Sequence, residues 1–163
     1  MYLCYPFSVV IKENIKFSSS NVFEGMTSVR AIIKGFESGV NDRRIDKIYF
    51  DGQKLHKIAK EIGYLRAVSE KYGFELIKSD ADFLENMALG TSHGGIAALA
   101  GERTIPSLSL AEIKENGFYA MLQGIEDPYN FGYALRSLYA CGCDGVILGG
   151  RSWMSAAGVV CRS

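Results

Sequence analysis

Short apolar stretches alternate with longer stretches of helical periodicity along most of the chain, and that alternation permits few architectures. Within 22–40, Val29, Ile32, Ile33 and Phe36 mark one helical face, and Arg30, Lys34 and Glu37 share the opposite one. Thr27 or Ser28 can cap the start of that helix, and Gly39 can stop its end. Residues 47–50 read as a strand closed by the turn Asp51-Gly52. Helical spacing returns over 54–72 through Leu55, Ile58, Ile62, Leu65 and Tyr72, despite Gly63. A strand at 74–77, a short helix at 81–89 and a strand at 96–100 complete a compact α/β unit.

Residues 101–117, with Pro106 and one weak helical turn around 111–114, read as a linker. A second α/β pattern follows: strand 118–122, loop 123–130, helix from about 131 to 141, strand 145–148, glycine-rich loop 149–152, and a helix from about 154. The domain plan is therefore 1–100, linker 101–117, and 118–163. Two strands and two helices after the linker bury too little apolar surface for a core of their own, so the second domain reads as cut short.

Charge and cysteines narrow the function classes. Eighteen basic and eighteen acidic residues balance, so there is no bulk basic footprint for nucleic acid. Residues 30–60 nevertheless hold eight Lys/Arg against four Asp/Glu, a local excess of +4 that permits an RNA-facing side or a merely solvated one. Cys4, Cys141, Cys143 and Cys161, with only two histidines, do not form the four-ligand cluster that zinc wants, so no metal is expected. Free, mostly buried thiols in a reducing compartment are the expectation. The apolar stretch 2–11 is too short to span a bilayer and lacks a basic leader. No membrane association and a cytoplasmic location follow.

The segment Gly124-Ile125-Glu126-Asp127-Pro128-Tyr129-Asn130-Phe131-Gly132-Tyr133-Ala134-Leu135-Arg136-Ser137 leaves a strand and opens a helix, the junction where open α/β sheets keep their sites. Asp127-Pro128 fits an N-cap with proline at the first helical position, and equally a type I turn. Phe131, Ala134, Leu135 and Leu138 line one face, and Arg136 falls outside it. On these residues alone, a capped helix with one surface arginine and an arginine reaching a phosphate both remain open.

This segment, followed by Cys143-Asp144-Gly145-Val146-Ile147-Leu148, resembles the first motif of the SpoU (TrmH-type) RNA ribose 2'-O-methyltransferases of the SPOUT class. Upstream, Phe23-Glu24-Gly25 with Ser28-Val29 resembles the opening of that family's ribosomal-protein-like RNA-binding domain, and Thr91-Ser92-His93-Gly94-Gly95-Ile96-Ala97 resembles its closing segment. The resemblance covers 22–163 with the three motifs in order. It implies an N-terminal ribosomal-protein-like α/β RNA-binding domain and the first part of a trefoil-knotted α/β methyltransferase domain. It further implies methyl transfer from S-adenosylmethionine to a ribose 2'-hydroxyl of rRNA or tRNA, by a homodimer.

By position, Asn130 and Arg136 match the motif's polar pair beside the target ribose and phosphate, and are the catalytic candidates. A guanidinium with a pKa above about 12 is a poor base at neutral pH, so holding the phosphate and stabilising the nascent alkoxide is the easier role. The family's later glycine-rich and Ser/Asn motifs have no counterpart in 1–163, so no cofactor-binding residue is named and the chain alone is expected to be inactive. The alternative is a non-catalytic RNA-binding module.

Arg30, Arg43, Arg44, His93 and Arg151 are the candidate RNA contacts. Arg43-Arg44 can sit on phosphates or form an exposed loop pair. His93 can contact RNA or satisfy a turn. Gly149 to Ser152 can cradle phosphate but matches neither Walker nor Rossmann spacing. Trp153 can stack on a base or pack against a neighbouring chain.

Overall fold

The computed structural model of the protein describes residues 8–11, 22–88, 93–101, 103–104 and 107–149. They form two sheets. The strands of the first are β2 (Val22–Glu24), β3 (Ile45–Asp51), β4 (Glu75–Ser79) and β5 (Ile96–Ala100), in the order β2-β5-β3-β4. Here β3 pairs parallel with β4 and antiparallel with β5, and β2 closes the other side of β5 antiparallel. In the second sheet, β1 (Ser8–Ile11), β7 (Gly145–Leu148) and β6 (Tyr119–Leu122) run all parallel, in the order β1-β7-β6.

Helices α1 (Gly25–Glu37), α2 (Ala59–Tyr72) and α3 (Ala81–Met87) belong to the first unit. The apolar stripe foreseen on α1 is buried at Val29, Ile32 and Ile33, and Arg30 and Lys34 stay exposed. These side chains meet Ile48, Phe50, Ile62, Leu65, Phe74 and Ile96 in one continuous core. The helix begins earlier than its sequence indicates. Glu24, the last residue of β2, takes the N-cap position without a side-chain cap, and Ser28 is fully buried one turn in, so neither Thr27 nor Ser28 caps it. Helix α2 begins later. Asp51 accepts a hydrogen bond from the Gln53 N–H at 2.9 Å, which winds Gly52–Lys54 into a 3-10 turn before the helix proper.

Helix α4 (Pro128–Ala140) joins β6 to β7 as a parallel βαβ unit. Strand β1 was counted with the N-terminal domain by sequence, and its backbone instead pairs with β7, Ser8 opposite Gly145 and Ile11 opposite Leu148. A short β-prone stretch finds there an edge whose N–H and C=O groups need partners. The start of the linker is fastened to the first unit, because Gly101 N–H donates to the Arg44 carbonyl and Thr104 N–H to the Asp42 carboxylate. Its end is fastened to the second, through Asp144. Among the described residues no helix is long and apolar enough to cross a membrane.

Candidate functional site: a capped helix and a cation-lined cavity

The motif segment is built on the junction of β6 and α4. Asp127 has extended backbone and its carboxylate accepts from the Tyr129 N–H at 2.9 Å, with Pro128 at the helix start. The N-cap reading therefore holds over the type I turn. Phe131, Gly132 and Leu135 are buried, which turns Asn130, Tyr133, Arg136 and Ser137 outward. The Arg136 guanidinium lies 5.6 Å from the centre of the Tyr133 ring. Asn130 and Arg136 thus share the exposed side of one helix, at the C-terminal end of a parallel strand.

Strand β7 is clamped to the end of the linker. The Asp144 carboxylate accepts from Lys114 Nζ at 2.6 Å and from the Phe118 N–H at 2.9 Å. The lysine's hydrogen bond, followed by that N–H, holds the carboxyl below its ordinary value of 3.8. Cys143 beside it is buried and Cys141 is exposed, both as free thiols.

The other candidates sort differently from their sequence grouping. Arg43 is buried, donates to the Gly101 carbonyl at 2.7 Å and lies 4.6 Å over the Phe23 ring. It joins loop 40–44 to β5's end, so an exposed loop pair does not describe it. Arg44 next to it points out, 5.1 Å over Phe36. Arg30 is exposed on α1, 5.5 Å over the Tyr64 ring of α2. His93 is buried and its Nδ1 accepts from the Gly95 N–H at 3.2 Å, so it satisfies a turn. Gly95 has φ +82, and a Cβ there would press on Asp51 and Lys54 at 3.3 and 3.2 Å, so the turn requires glycine. Arg151, Trp153 and most of the glycine-rich loop lie outside the described residues.

Sequence reading did not single out what accompanies Arg44. A cavity of about 240 Å³ opens between the ends of α1 and α2, lined by Ile32, Ile33, Phe36, Ile45, Tyr72 and Phe74, with Arg43, Arg44 and Lys71. Phe36 and Tyr72 were legible only as members of apolar stripes. At the lip, Glu37 accepts from the Tyr72 hydroxyl at 2.7 Å and from Lys71 Nζ at 3.4 Å. Those bonds, the tyrosine's first, hold the Glu37 carboxyl below its usual range.

Known proteins give this geometry its context. No protein-family model matches the sequence. A 23S rRNA (guanosine-2'-O-)-methyltransferase RlmB of Ralstonia nicotianae is 30% identical over 109 residues, covering 64% of this chain and 42% of that protein. The RlmB of Photorhabdus laumondii is 27% identical over 136 residues, 79% of this chain and 51% of the relative. Over part of their length, this chain is similar to these 23S rRNA (guanosine-2'-O-)-methyltransferases. It spans about half the length of the curated relatives it matches. Two solved structures share the mixed α/β fold. An rRNA methyltransferase from Sinorhizobium meliloti superposes with a TM-score of 0.62 at 17% identity, over 88% of this chain and 52% of that one. An RNA 2'-O ribose methyltransferase does so at 0.55 and 17%, over 86% and 52%.

Proposed function

We propose that the protein supplies the RNA-holding unit and the first catalytic motif of an S-adenosylmethionine-dependent RNA ribose 2'-O-methyltransferase, acting on rRNA or tRNA in the cytoplasm as a homodimer. In this reading residues 22–101 are the ribosomal-protein-like RNA-binding domain. The βαβ unit of β6, α4 and β7 opens the trefoil-knotted domain. The observation that carries the proposal is the display of Asn130 and Arg136 on the outer side of α4, just past the end of β6.

The cofactor supplies an electrophilic methyl group on a sulfonium sulfur. No residue of this chain is assigned to holding it. Arg136 holds the phosphate next to the target ribose and stabilises the charge that grows on the 2'-oxygen as its proton passes to solvent water. Asn130, with both a donor and an acceptor on its amide, orients the ribose hydroxyls. The Asp127 cap fixes the first turn of α4, so both side chains start from a rigid element.

A second reading, RNA binding without catalysis, draws on the fact that the cavity and the pairs Arg30–Tyr64 and Arg44–Phe36 all belong to the first unit. A graft separates the two. Residues 22–148 replace the corresponding stretch of the Photorhabdus relative, and labelled methyl transfer into ribosomal RNA is followed by nucleoside mass analysis. Ribose methylation is expected, falling about 100- to 1,000-fold with Arg136→Ala. A folded graft that binds RNA yet methylates a base, or nothing, contradicts the catalytic reading.

A further inference from the structure

We propose that the cavity between α1 and α2 receives one unstacked base of the RNA, with the adjoining phosphate on Arg44. The proposal rests on the RNA reading above. Ile32, Ile33, Ile45 and Phe74 give the cavity an apolar lining. Its walls are aromatic: Phe36 and Tyr72 meet edge to face, centroids 5.6 Å apart at 85°. At about 240 Å³ it is smaller than the roughly 300–1,000 Å³ of sites that enclose a drug-sized ligand, which matches a single flat ring system. A base offers a π-face to such walls whatever its identity.

Charge selects the rest of the ligand. Arg44 is exposed at the lip and has no ion pair among the described residues. Lys71 also lines the cavity, 3.4 Å from the Glu37 carboxylate and 4.7 Å over the Tyr72 ring. The cations do not stop at the cavity. Lys34 and Arg30 continue along the outer face of α1, Arg30 over Tyr64. Cations interleaved with aromatics along a track leading from a base-sized hole suit a single strand with a regularly charged backbone better than an isolated metabolite.

The test uses the whole chain and a single-stranded RNA oligonucleotide carrying 5-iodouridine, with binding read by anisotropy and photocrosslinks mapped by mass spectrometry. Crosslinks are expected at Phe36 or Tyr72. Tyr72→Ala weakens binding about five- to a hundred-fold. Arg44→Ala, at an exposed position that leaves the core intact, lowers the slope of log affinity against log salt by about one. Glu37→Gln frees the lip of its negative charge and tightens binding. Wild-type binding that these variants leave unchanged, with crosslinks elsewhere, overturns the proposal while the RNA reading stands. Absence of any RNA binding by the wild-type chain overturns both.

Discussion

Leu65 on α2 and Leu135 on α4 are equally hidden, at 0% and 1% exposure, yet they sit in different surroundings. Leu65 lies in a core drawn from α1, α2 and three strands, among them Phe23, Ile48, Phe50 and Ile96, with Leu76 of β4 packed against it. In the unit that holds Leu135 the other buried apolar side chains among the described residues are few: Phe131, Cys143, Val146 and Leu148. Phe118, Met121, Tyr129, Tyr133 and Tyr139 of the same unit stand exposed. Parallel sheets ordinarily bury both faces, whereas α4 is the one described helix joined to this one. Burial of a single side chain therefore says little about stability; what encloses the neighbours decides it. Among the described residues, the site-bearing unit is the less enclosed of the two.

Equal truncations break or sharpen that contrast most strongly. Leu65→Ala is expected to cost about 2–5 kcal/mol, and Leu135→Ala clearly less, because a less enclosed site collapses more freely around the deletion. Urea unfolding with residue-resolved hydrogen exchange reads both, and equal losses would remove the distinction. Adjacent arginines give the next largest effect. Arg43→Ala, losing a charged hydrogen bond to Gly101, costs about 1.5–3 kcal/mol. Arg44→Ala stays within about 0.5 kcal/mol in the same melts. Gly73, at φ +76 closing α2, is the third site. Alanine there forces a left-handed backbone worth about 1–2 kcal/mol, felt in the first unit only.

The smallest effect is acid dependence at the linker clamp. The Asp144 carboxyl is depressed in the folded chain, so its contribution is complete above 3.8 and is lost as pH falls through the lower folded value. Protection of the Phe118 amide, which donates to that carboxylate, relative to its intrinsic exchange rate should fall as the pH drops through this range. Asp144→Asn removes the dependence. An unchanged pH profile in the variant would show that the carboxylate does not hold the clamp.

Much of the fold was legible where one local rule sufficed. The apolar runs at 96–100 and 145–148 returned as strands with those bounds, and the Asp127-Pro128 cap returned with its hydrogen bond. What escaped depended on distant partners. The three residues of β2 are too few to signal a strand, and only their pairing with β5 makes them one. Residues 8–11 became a strand through an edge supplied from the far end of the chain. Arg43 and Arg44 are indistinguishable neighbours in sequence. The contact of Arg43 with Gly101, far along the chain, buries that side chain, whereas Arg44 stays exposed; both line the cavity. For His93 the sequence offered an RNA contact or a turn, and the turn is visible only once its Nδ1 is seen to accept from the Gly95 N–H.

The measurement that tests the central claim most directly is hydrogen exchange of the whole chain with and without ribosomal RNA. The account predicts slowed exchange in two separate stretches, 34–45 with 71–74 at the cavity and 128–136 at the start of α4. Tight RNA binding that leaves both stretches unchanged would contradict it.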